Sequence, residues 1–163
     1  MVMMMMMNAQ PVILSLDASS TTIGWVLWDG AVRDQGTVKL TGADIADRCR
    51  QAFAAVGLMI ETHPDIDCIA IESPVARFAK AVIPQARVSG AILARAALFR
   101  IPVCEVTPSE GKRALAGSGS ATKDQMMVAA FPALRSYDEH RADALGVALF
   151  AKNKVYIPTE ETI

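Results

Sequence analysis

The sequence predicts an α/β fold: a five-stranded mixed sheet, three antiparallel strands followed by parallel strands, with helices on both faces. Three observations carry that expectation. A triplet of strand-like segments joined by tight turns opens the chain. Helical and strand-like segments then alternate, with no internal repeat or interdomain linker. The 163 residues are 52% hydrophobic and 20% charged, and the apolar share comes mainly from Ala, Val, Leu, Ile and Met, the mixture of a buried sheet covered by helices.

Residues 1–10, with the run Met3 to Met7, lack a basic n-region and lead into Pro11 with no cleavage site. They are expected to be a disordered leader, with a single domain over residues 11–156. Pro11 to Leu16 is a continuous apolar run that stops at Asp17, and the small polar stretch Ala18 to Thr22 reads as a turn. Ile23 to Trp28 predicts a second strand, Asp29-Gly30 a hairpin turn, and Ala31 to Leu40 a third, more alternating strand. From Ala43 to Thr62, apolar residues from Ile45 to Ile60 recur at helical spacing until His63-Pro64 ends the pattern. Cys68 to Ile71 is a buried-strand run leading to Glu72-Ser73-Pro74. A helix from about Ile83 to Phe99 and a strand within Ile101 to Val106 complete the sheet. Helices over Pro108 to Leu115, Lys123 to Phe131 and Asp138 to Lys152 close the domain. Residues 157–163 are expected to be a flexible tail.

The longest apolar stretch, Val88 to Phe99, is interrupted by Arg95 and is far below the ~20 residues a membrane helix needs, so no membrane partner is expected. Cys49, Cys68 and Cys104 are odd in number and widely spaced, with no Cys-x-x-Cys pair to suggest zinc or redox chemistry. A reducing cytoplasm fits best. The net charge of −1 is no signature of nucleic-acid binding by itself. Its distribution differs. From Pro74 to Lys123 eight basic residues (Arg77, Lys80, Arg87, Arg95, Arg100, Lys112, Arg113, Lys123) face two acids, Glu105 and Glu110, a local excess of +6 against −7 elsewhere. Solvated helix faces are the alternative reading of that excess.

Asp17 ends a strand that is otherwise apolar, and a carboxylate at the mouth of a buried sheet must be hydrogen-bonded, protonated or bound to a cation. A capping or turn Asp is the competing explanation. Glu72 repeats the pattern at the end of Cys68 to Ile71, and if the two strands are neighbours their carboxylates meet. Asp138 is a good N-cap for the last helix, on which His140 and Asp143 are three apart on one face. Three carboxylates and an imidazole at one sheet end can hold two divalent cations about 4 Å apart, the arrangement for hydrolysing a phosphodiester. Oxygen-rich donors favour Mg²⁺ or Mn²⁺ over zinc. His140 is either a ligand or a general base.

Four ordered segments resemble the RuvC-type Holliday junction resolvases of the RNase H-like, or retroviral-integrase, superfamily. They are Ile13-Leu14-Ser15-Leu16-Asp17 with Gly24, Ile69-Ala70-Ile71-Glu72, the stretch from Gln85-Ala86-Arg87 through Gly117 to Lys123, and His140-Arg141-Ala142-Asp143-Ala144-Leu145. The resemblance implies an RNase H-like fold and a Mg²⁺- or Mn²⁺-dependent endonuclease, with two ions per site. It places Asp17, Glu72 and Asp143 as the metal-holding acids and His140 as a fourth member that is Asp in some relatives. Lys112 and Lys123 match basic residues that contact the cleaved strand, and Arg77, Lys80, Arg87 and Arg113 extend the DNA-binding set. Phe78 falls where relatives insert an aromatic ring at the junction centre, a stack worth about 1–3 kcal/mol, with a core Phe as the alternative. One departure is Ala18-Ser19-Ser20, where many relatives have Pro-Gly-Ser.

The resemblance further implies a homodimer that nicks two strands of a four-way junction, a two-fold enzyme for a two-fold substrate. The helix Ile83 to Phe99, with Ala91, Ala94, Ala96 and Ala97, offers the dimer surface. Other branched DNA, such as flaps or three-way junctions, is the runner-up substrate. A non-catalytic junction-binding module and an actin-like phosphate-binding fold, suggested by Asp17 to Gly24, rank lower.

Overall fold

The computed structural model describes residues 10–76 and 79–155. The expected leader other than Gln10, the tail, and the candidate residues Arg77 and Phe78 lie outside the described residues. The elements are β1 (Ile13–Ala18), β2 (Thr22–Trp28), β3 (Val32–Lys39), α1 (Ile45–Thr62), β4 (Cys68–Glu72), α2 (Ala79–Leu98), β5 (Val103–Val106), α3 (Pro108–Ala116), α4 (Lys123–Leu134) and α5 (Glu139–Ala151). Three helices follow β5, at the three segments where the sequence predicts them. Thr107 and Thr122 each open their own helix with a capping box, completed by Glu110 and Gln125.

The sheet runs β3-β2-β1-β4-β5. The pairs β1/β2 and β2/β3 are antiparallel, β1/β4 and β4/β5 parallel, as the sequence predicts. Position in that order explains composition. Strand β1 is central and its six residues are all buried, so it reads as a continuous apolar run. Its one neutral polar residue, Ser15, donates to the Val26 carbonyl at 3.1 Å. Strand β3 lies at the edge and has no fully buried position, only half-buried and exposed ones, consistent with its polar sequence.

Helices cover both faces. On one, Val56, Ile60, Val88 and Ile92 of α1 and α2 pack against Leu14, Leu16 and Ile69. On the other, Met126, Ala130, Leu145 and Ala148 of α4 and α5 pack against Ile13, Val26 and Ala70. Each fully buried large aliphatic side chain stabilises the fold by about 1.5–3 kcal/mol. Cys68 is buried, Cys104 packs against the second cluster, and both are free thiols. Among the described residues no helix is long and apolar enough to cross a membrane.

Three boundaries differ from expectation. Strand β1 continues through Asp17 to Ala18, because both still pair with β2, at Gly24 and Ile23. Helix α2 starts at Ala79 and carries Pro84 inside it. The proline removes one hydrogen bond, the one its amide would give the Lys80 carbonyl, so the helix survives it. Helix α4 likewise runs through Pro132 and ends where Arg135 takes the left-handed conformation, φ 53°.

Candidate active site

Parallel pairing of β1 with β4 puts Leu16 opposite Ile71. The next residue on each strand, Asp17 and Glu72, therefore emerges at the same end of the sheet. Asp17 is 8% exposed and Glu72 half-buried. Opposite Asp17 on β2 stands Gly24. A Cβ built there would lie 2.4 Å from the His140 carbonyl carbon and oxygen, so only glycine lets the first turn of α5 rest on the sheet. That close approach brings His140 Nδ1 to 2.7 Å from Asp17 Oδ2.

Edge strand β3 fixes the same turn from the other side. The Thr37 hydroxyl donates to Asp138 Oδ2 at 3.0 Å, and Arg141 Nε donates to Thr37 Oγ1 at 3.0 Å. Asp138 also caps α5, accepting from the Arg141 amide at 3.0 Å. Burial opposes its charge, but these two donors hold the Asp138 carboxyl below the usual range. Glu139 is held low by its 2.6 Å ion pair with Lys123. Both acids are thus engaged away from Asp17, and Asp143, one turn on, is the α5 carboxylate that senses it.

Helix α3 adds a cation. Gly111 of α3 and Gly146 of α5 meet so closely that a Cβ on Gly146 would fall 2.6 Å from the Gly111 carbonyl oxygen. The crossing carries Lys112, the next residue, into the electrostatic field of Glu72 and Asp143. Burial first, then the charges of Asp17 and Asp143, push the Glu72 carboxyl up to about 8, with Lys112 and His140 opposing. Burial and then Asp17 push Asp143 up to about 6, again against Lys112 and His140. His140 moves up because its ring hydrogen-bonds Asp17, outweighing burial.

Asp17, Glu72, His140, Asp143 and Lys112 therefore form one coupled cluster. Among the described residues no three His, Cys, Asp or Glu side chains are already gathered so as to hold a metal ion. Mutual repulsion of buried carboxylates opposes such gathering. The donor set still fits a hard divalent cation: carboxylate oxygens plus one imidazole, with more buried negative charge than Lys112 and His140 offset.

The remaining candidates sit farther out. Lys80 and Arg87 are exposed on α2, Arg113 is exposed on α3, and none of the three perturbs the carboxylates. Lys123 is exposed at the start of α4 in its pair with Glu139. Gln85 of α2 reaches the cluster from the other face, donating Nε2 to the Ala18 carbonyl at 3.0 Å, beside Asp17. Sequence reasoning singled out neither Gln85 nor Thr37 as site residues. Glycines interrupting a strand run at 24 and a helix run at 146 were the available signal for two close approaches.

The family model for crossover junction endodeoxyribonuclease RuvC matches residues 13–151. RuvC of Halorhodospira halophila is 32% identical over 145 residues, 84% of this chain and 87% of that protein. RuvC of Salinibacter ruber is 29% identical over 154 residues, 88% of this chain and 86% of that one. The structure of T. thermophilus RuvC in complex with a Holliday junction substrate shares the fold, with a TM-score of 0.73 at 24% identity, over 86% of this chain and 92% of that chain. Because the family match spans both sheet-end acids and the α5 pair, the chain belongs to the RuvC family of crossover junction endodeoxyribonucleases.

Proposed function

We propose that this protein resolves four-way DNA junctions in the cytoplasm, as a homodimer that cuts one phosphodiester in each of two strands. The observation that carries it is the convergence of β1, β4 and α5, which brings Asp17, Glu72, His140 and Asp143 into one coupled cluster with Lys112 beside it. Mg²⁺ or Mn²⁺, two ions per site, would be held by those four side chains and supply water activation and neutralisation of the departing oxygen. The chain's own groups do the rest. Asp17 fixes the ring orientation of His140 through the 2.7 Å hydrogen bond. Lys112 offers positive charge to a phosphate at the cluster, and Lys123 can exchange Glu139 for a phosphate at its edge. Lys80, Arg87 and Arg113, with Arg77 and Phe78, extend the DNA-contacting flank.

The dimer reading rests on α2. Ile83, Ala86, Gly90, Ala94, Ala97 and Leu98 recur at helical spacing and are all exposed, with Ile83 50% and Leu98 69% exposed, whereas Ala91 is half-buried and Ala96 belongs to the core rather than to the expected surface. A stripe of small and apolar residues in water suits close packing of a second copy.

The test is a panel of four-way, three-way, flap and linear DNA incubated with Mg²⁺ or Mn²⁺. Paired nicks confined to the four-way junction, and absent in Asp17→Asn, are expected. Equal cutting of all branches would transfer the reading to a general branch nuclease. An intact junction in every condition would end it.

A further inference from the structure

Tyr137 immediately precedes the cap of α5 and leaves 67% of its surface in water, among the most exposed large apolar side chains of the described residues. It is nonetheless held in place. Its ring stacks on Phe131 of α4, with centroids 4.5 Å apart and planes 21° apart. The backbone on either side is tied down. The Arg135 amide donates to the Phe131 carbonyl at 2.8 Å, Gln35 Nε2 of β3 donates to the Leu134 carbonyl at 2.9 Å, and Asp138 is anchored to Thr37. A ring that is rigid yet exposed has lost its conformational freedom without the gain of burial. As a clasp between α4 and α5 it would gain by turning inward, as the half-buried Phe131 does.

Its position suggests what meets it. Tyr137 is three positions before His140, and three residue steps span at most about 11 Å even when extended. The ring therefore lies within a few nucleotide steps of the carboxylate cluster, on the β3 side, whereas Lys80, Arg87, Lys112 and Arg113 come from α2 and α3. Arg135 is exposed beside it and Arg141 follows. The intervening acids are neutralised, Asp138 by Arg141 at 3.7 Å and Glu139 by Lys123 at 2.6 Å.

We propose that Tyr137, backed by Phe131, is a stacking platform for one base of the DNA strand that leaves the active site on the β3 side, with Arg135 beside it for the phosphate. This rests on the junction-nuclease reading above. Aromatic rings bind unpaired bases in this way irrespective of sequence, so the platform would contribute to recognition of opened structure.

The test uses the full chain without added metal and four-way junctions carrying 2-aminopurine at successive positions around the cut. Wild type and Tyr137→Trp should quench the probe at one position and bind alike. Tyr137→Ala and Tyr137→Leu should leave that probe bright and bind about 5- to 100-fold more weakly. Because Leu keeps apolar bulk at the α4–α5 turn, it separates stacking from a clasp even if Ala unfolds. Wild-type binding and quenching by Tyr137→Leu would overturn the platform while leaving junction recognition intact. A wild type that does not bind the junction would overturn both.

Discussion

Replacing Glu72 by Gln removes the charge that its surroundings most oppose. Burial, then Asp17 and Asp143, move its carboxyl from an ordinary 4.5 to about 8. A raised value in the folded state means that the fold keeps a proton which the unfolded chain surrenders above about pH 4.5. Stability from this group is thus complete below the unfolded value and lost as pH rises towards 8. The slope is at most about 1.4 kcal/mol per pH unit, and integrating from pH 6 to pH 8 gives a loss of about 2 kcal/mol. For a domain of this size that is a drop of about 4–8 °C in Tm. Gln has no such titration. In EDTA, thermal unfolding of wild type should therefore fall steeply between pH 6 and 8, whereas Glu72→Gln stays flatter and is the more stable protein at pH 8. Adding Mg²⁺ or Mn²⁺ at pH 8 should reverse the ranking, because the cation binds a carboxylate more strongly than a neutral amide oxygen. Parallel pH profiles for the two proteins in EDTA would refute this reasoning.

Asp143→Asn should abolish junction cutting yet keep or strengthen binding in a gel-shift assay, since it removes a proposed metal ligand and also a negative charge facing phosphate. Lys112→Ala should weaken junction binding and lower the slope of log affinity against log salt by about 1, read from a salt titration. Gly146→Ala places a methyl group 2.6 Å from the Gly111 carbonyl oxygen, and overpacking there should cost about 1–3 kcal/mol in urea unfolding. Thr37→Val breaks the hydroxyl's bonds to Asp138 and Arg141, so cutting should fall while junction affinity holds, and Thr37→Ser should restore it.

The sheet was legible because its physics is local. Pro11 to Leu16 and Cys68 to Ile71 are apolar without alternation, as two-sided burial demands, and both run into an acid. The candidate cluster's composition was also legible, since strand-end acids and a helix with His140 and Asp143 on one face need only pattern and spacing. What the sequence did not disclose is how the pieces are held together. Thr37 looks like any polar residue of an edge strand, and its hold on α5 exists only after more than a hundred residues of chain return to it. Gln85, from the opposite face, holds the Ala18 carbonyl for an equally non-local reason. The start of α2 and the end of α4 were misplaced at Pro84 and Pro132 because local propensity puts a proline in the first turn of a helix or just past its end, whereas a packed helix tolerates one lost hydrogen bond.

The contact between His140 and Asp17 joins residues 123 apart in sequence. Its consequence concerns synthesis. A ribosome releases β1 early and α5 last among the described helices, so a partly made chain can pair its strands but lacks the His140 and Asp143 half of the cluster. On the proposed assignment of these residues, nuclease activity would arise only when that helix docks.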